Sequence, residues 1–189
     1  WAGTLALTAQ GSETLVNTST SGTQTLNWSS KSIAMDANGN YVIIWMDGSG
    51  ASDTGIGIYG QRYNASGVAQ GAQFHVNTFT SYNQRNPQVA MDASGNFVVV
   101  WESNGQDGSS YGIYAQRYNS SGVAQGSEFR VNSTTTYDQI EAAVAMDASG
   151  NFVIAWQSWS QDLANSNGIY AQRYNSSGVA QGGEFLVNT

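Results

Sequence analysis

The chain has 189 residues, 40% of them hydrophobic and only 10% charged, with a net charge of −7 and a sequence pI near 4.3. Lys31 and five arginines are its only strong bases, which excludes a groove for nucleic acid. The absence of cysteine excludes a disulfide framework, thiol chemistry and sulfur-ligated metals, and no apolar run approaches the length of a membrane span. The chain opens at Trp1 rather than Met, as one trimmed of a leader or cut from a longer protein would.

Residues 1–18 do not fill a structural unit. Within them, residues 10–17 (QGSETLVN) align with residues 125–132 (QGSEFRVN) and read as a spare last strand. Such a strand needs a partner. It can complete the last blade of a ring, or it can add to the edge of another molecule and so build polymers.

Three units follow, at 19–78, 79–133 and 134–189. The segment 90–98 (AMDASGNFV) recurs at 145–153, and 112–126 (GIYAQRYNSSGVAQG) recurs letter for letter at 168–182. A more diverged copy occupies 34–42 and 57–71. Trp45, Trp101 and Trp156 set a period of 56 and then 55 residues.

Each unit predicts four short strands. The first ends at Asp36, Asp92 or Asp147. The second is the Asn96-to-Trp101 segment and its equivalents, the third GIYAQRY, and the fourth the Glu128-to-Asn132 segment and its equivalents. Asn/Ser-Gly turns join the first to the second and the third to the fourth. In the second strand Phe97, Val99 and Trp101 point one way, and Val98 and Val100 the other. Both faces are apolar, so a neighbour must cover each. The fold class predicted is therefore all-β: three tandem four-stranded antiparallel units arranged as β-propeller-like blades. A β-trefoil, a β-prism or a β-solenoid are the alternatives. Three blades close a ring poorly, so the partner expected is the chain itself, as a homo-oligomer or polymer.

Little in the chain suits catalysis. His75 is the only histidine and lies in a fourth strand where the other units carry Arg130 and Leu186. Asp36, Asp92 and Asp147 recur once per unit, whereas a single active site breaks repeat symmetry, so no catalytic residue is predicted. A glycosidase would need an acid pair unique to one unit, such as Asp138 and Glu141. The D-x-[NS]-G-N turns at 36–40, 92–96 and 147–151 resemble truncated calcium loops, which makes those three aspartates the metal candidates. The competing reading is an ordinary turn in which Asp accepts backbone N–H groups, with no cofactor. Arg62, Arg117 and Arg173 recur with these aspartates and are expected to pair with them.

The loops offer the candidate binding residues. Between the fourth strand and the next first strand stand Tyr82 and Gln84, matched by Tyr137 and Gln139. Between second and third strands stand Gln106, Asp107 and Tyr111, matched by Trp159, Gln161 and Asp162. Aromatic faces beside amides and carboxylates suit a sugar ring and its hydroxyls, making surface glycans a second expected partner.

The whole pattern, VAMDASGNFVVVW followed by GIYAQRYNSSGVAQGSEFRVN, resembles a tandem repeat of very large secreted bacterial proteins. Those proteins are found in cyanobacteria and proteobacteria, often beside RTX-type calcium repeats and adhesin modules. The resemblance runs from Asp36 to the end of the chain and implies an extracellular or cell-surface location. Relatives often carry D-A-D-G-D where this chain has Asp92-Ala93-Ser94-Gly95-Asn96, two carboxylates fewer. The segment MDASGNFVVVW also resembles a hairpin of monocot mannose lectins, but Asp92 and Ser94 replace the Gln and Asp that would bind mannose. Together these readings predict a non-enzymatic extracellular repeat protein, adhesive or structural. A carbohydrate-binding module and a polysaccharide-cleaving enzyme are the alternatives.

Overall fold

Runs of Val, Ile and aromatic residues broken by Asn/Ser-Gly pairs give short strands joined by tight turns. The computed structural model describes residues 12–18, 21–26, 31–50 and 52–188, and all regular structure among them is β. The first unit holds β1 (Gln24–Thr25), β2 (Ile33–Met35), β3 (Tyr41–Asp47), β4 (Gly57–Tyr63) and β5 (Phe74–His75). The second holds β6 (Gln84–Met91), β7 (Phe97–Asn104), β8 (Tyr111–Tyr118) and β9 (Phe129–Arg130). The third holds β10 (Gln139–Met146), β11 (Phe152–Trp159), β12 (Asn167–Tyr174) and β13 (Phe185–Leu186).

The second and third units are four-stranded antiparallel meanders, in the order β6-β7-β8-β9 and β10-β11-β12-β13. In the first unit β1 pairs with the far end of β3 (Gln24↔Asp47) and β2 with its near end (Ile33↔Ile43). These two pieces are one edge strand, interrupted where the first unit carries extra residues between Gln24 and Asp36. The second strand runs on to Asn104 and Trp159, past the Trp that ends the predicted one, while the fourth strand shrinks to two residues. A bulge shifts the register between Arg85 and Gln88, and again between Ile140 and Ala143. At those bulges Asn86 and Glu141 adopt left-handed backbone angles, φ 54° and 56°.

Every named strand pairs only within its own unit, so the units are not staves of one barrel. They stack face to face. The aliphatic face of the first sheet (Val42, Ile44, Ile58, with Val76) packs on the aromatic face of the second (Phe97, Trp101, Tyr114, Tyr118). The second sheet repeats this with Val98, Val100, Ile113 and Val131 against Phe152, Trp156, Tyr170 and Tyr174 of the third. The inner strands of the second sheet are thereby covered on both sides, as their two apolar faces require.

Residues 10 and 11 of the spare strand lie outside the described residues. The rest does not complete the last sheet, which has its own β13. Instead Val16 O accepts a hydrogen bond from Tyr63 Oη at 3.4 Å, and Thr18 N donates to Gln73 Oε1 at 3.0 Å. Between the first and second units Tyr118 Oη donates to Val76 O at 3.4 Å, and Thr78 N to Glu128 Oε2 at 2.6 Å. The segment therefore sits on the first unit as the end of each unit sits on the next.

Candidate functional site

An up-and-down meander puts its connections at two edges. One edge carries the Asx turns, the other the loops with the candidate binding residues.

At the turn edge each repeated aspartate is spent locally. Asp92 accepts Ser94 N at 2.8 Å, Asn96 N at 2.9 Å and Asn96 Nδ2 at 2.7 Å. Asp36 and Asp147 accept the same three donors of their own turns, at 2.8–2.9 Å. The side-chain bond from Asn151 is the leading cause that holds the Asp147 carboxyl below its ordinary range, with the backbone N–H groups adding to it against a smaller effect of burial. At Asp36 burial pulls upward, yet the Asn40 bonds and backbone donors hold the carboxyl low. No group of three or more His, Asp or Glu side chains that could hold a metal occurs among the described residues. The turns thus have the geometry of Asx turns, with one carboxylate each already hydrogen-bonded.

The arginines do not pair with these aspartates. Arg62 Nη1 and Nη2 donate to the backbone carbonyls of Ser121 (2.6 Å) and Ser120 (2.5 Å) in the next unit. Arg117 does the same to Ser177 and Ser176, both at 2.7 Å. The fork of the guanidinium suits two adjacent carbonyls, so the repeated Arg joins units rather than bracing a turn.

At the loop edge the sequence-predicted residues divide. Gln84 and Gln139 are fully buried and serve the fold. Gln84 Nε2 donates to Ser81 O at 2.9 Å and Gln139 Nε2 to Thr136 O at 3.0 Å, while Asn132 Nδ2 donates to Gln139 Oε1 at 3.1 Å. They are therefore not ligand contacts. Gln106 Nε2 and Gln161 Nε2 donate to Glu128 Oε1 (2.6 Å) and Glu184 Oε1 (2.7 Å). The other oxygens of those glutamates accept Thr78 N and Ser133 N from the preceding unit. Asp107 and Asp162 fold back over Gly112 and Gly168, whose missing side chains make room for them. One face of Tyr111 is taken by Arg85, whose Cζ stands 3.7 Å from the ring centroid. Tyr82, Tyr137 and Trp159 remain exposed, the two tyrosines with φ of 61° and 64°.

Of the acid pair unique to the third unit, Asp138 is hydrogen-bonded through its carboxylate and Glu141 through its backbone, with its side chain exposed. Asp138 Oδ1 accepts Ser110 Oγ and Tyr111 N, and Glu141 contributes its backbone N–H, at 2.8 Å, to Glu102 Oε1. Glu102 itself escapes sequence reasoning. It is fully buried, held by Arg85 Nε at 2.8 Å and Asn86 Nδ2 at 2.9 Å, and aligns with Met46 and Gln157. The one available signal is a departure from the repeat, an acid where the other units carry Met46 and Gln157. His75 stacks on Tyr59 (centroids 4.7 Å apart), with Nε2 2.9 Å from Asp53 Oδ2 but outside hydrogen-bonding geometry.

No protein-family model and no curated protein matches the chain. Among solved structures it is similar to an α-L-arabinofuranosidase from Lactobacillus brevis, at 11% identity and a TM-score of 0.47. The match covers 83% of this chain and 53% of that one, so the chain spans about half the length of that enzyme.

Proposed function

We propose that this chain is a non-enzymatic extracellular repeat protein, adhesive or structural in role. One observation carries the reading: apart from the exposed Arg173, the polar groups of the repeat are spent on holding turns and joining units. The Arg fork, the Gln–Glu pair and the buried Asn and Gln all bond within the protein. Catalysis needs acids, bases or nucleophiles aimed at a substrate, and at the loop edge Asp138, Glu128 and Glu184 are hydrogen-bonded within the protein.

The test is a reducing-sugar assay over a panel of polysaccharides that includes arabinan. No release above the blank is expected, and sustained turnover lost on substituting Asp138 would overturn the proposal. A second reading rests on the exposed Tyr82, Tyr137 and Trp159, flat faces that a sugar can stack on. A glycan array probed with the wild-type chain and with Tyr137→Ala/Trp159→Ala checks it: binding that this variant loses establishes a lectin-like role.

A further inference from the structure

The outer faces of the first and third units are complementary, and among the described residues that of the third is exposed. Ile58 and Ile113 are fully buried by the following sheet, and Val76 and Val131 are 2% and 7% exposed. Their counterparts in the third unit, Ile169 and Val187, are 38% and 53% exposed. Phe74 and Phe129 each lie against a tyrosine of the next unit, Tyr118 at 5.3 Å and Tyr174 at 5.5 Å between centroids. Phe185, their counterpart in the third unit, is 45% exposed. Arg173 is exposed where Arg62 and Arg117 grip two carbonyls.

The opposite end carries the matching surface. Tyr41 and Tyr63 stack at 5.0 Å, as Phe97 and Tyr118 do at 4.8 Å and Phe152 and Tyr174 at 4.8 Å. In its third-to-fourth-strand turn, Ala65 and Ser66 align with Ser120 and Ser121, the residues whose carbonyls the Arg fork takes, and both are exposed. Part of this end is covered by the chain's own Val16-Asn17-Thr18, held by Tyr63 and Gln73. That is the same Val-Asn-Thr with which the first unit, at Val76-Asn77-Thr78, meets the second.

Resting on the building-block reading, we infer that the third unit's exposed face docks on the first unit of a second copy, and that residues 12–18 plug that acceptor. Docking continues an interface the molecule already makes twice. Arg173 takes the carbonyls of Ala65 and Ser66, Phe185 meets Tyr63, and Val187 occupies the place held by Val16. Both segments cannot be there at once. The contact is heterologous, so it closes into a ring or runs on as a filament according to its rotation.

Sedimentation velocity over a concentration series on the full chain tests this. Ile169→Asp puts a charge in the donor face and is expected to stay monomeric throughout. Val16→Asp loosens the plug and is expected to associate at a concentration at least tenfold below that of the wild type. The double variant V16D/I169D separates docking from simple aggregation, since only docking needs Ile169, and it is expected to be monomeric. Association of I169D or of the double variant overturns the inference. So does V16D associating no more readily than the wild type, which would leave the exposed face to a different partner. Polysaccharide turnover by a docking-competent chain would instead sink the function and leave the interface standing.

Discussion

Single glycines separate backbone from interface. Gly178 and Gly182 have nearly the same backbone, φ 79° and 80°. A side chain at Gly178 would start 2.7 Å from Arg117 Cδ of the preceding unit, while at Gly182 nothing lies within 4 Å. Gly182→Ala should therefore cost only the left-handed penalty of about 1–2 kcal/mol. Gly178→Ala adds displacement of Arg117 from its two carbonyls, worth a further ~1–3 kcal/mol for hydrogen bonds from a charged donor. Chemical denaturation of the two variants measures the difference, and equal losses would show that the Arg fork adds nothing.

Among the elements, the Asx turns make the fold acid-sensitive. Asp36 and Asp147 are held below their ordinary values in the folded chain, so the stability they add is complete above about pH 4, the unfolded value. It is lost as pH falls through the folded values. Urea midpoints measured from pH 6 down to pH 2 should drop in that window, and Asp147→Asn should drop less.

The turns and strands were legible because the repeat prints their pattern three times and the Gly positions fix the hairpins. The fourth strand was legible in place but not in length, because strand propensity says nothing of how few ladder bonds an edge makes. The repeated Arg and Asp were misread as partners because periodicity shows that residues share a role in every unit, not that they touch. Gln84 and Gln139 read as candidate binding residues, yet they are buried, since a connection folding inward must satisfy its own carbonyls. Arg85, Asn86 and Glu102 form a unit-specific cluster, and a departure from the repeat was its only trace.

At the scale of the molecule, the sheets share their cores, so the units stand or fall by their contacts with neighbours. Tyr114 and Tyr174 lie in those shared faces. Burial first, with Asp107 and Glu184 adding repulsion of a phenolate, pushes each up to about 12. Their stabilisation is whole below pH 10 and declines as pH rises toward 12. Alkaline titration followed by tyrosinate absorbance and light scattering should show ionisation and loosening of the stack together. Ionisation complete by pH 10 with the stack intact would contradict the shared packing.

The two-residue fourth strands bear on how the chain carries load. Tension along the polypeptide meets β9 or β13, held to its sheet by two ladder pairs and the few bonds just beyond them, before it reaches the long ladder between the middle strands. In the second unit the shortest ladder is thus also the piece that touches the next. A pulled chain would peel at these seams one unit at a time, each releasing about 55 residues, on the order of 190 Å of slack. A tether with that behaviour yields in steps and absorbs work at each one, while the units not yet reached keep their grip.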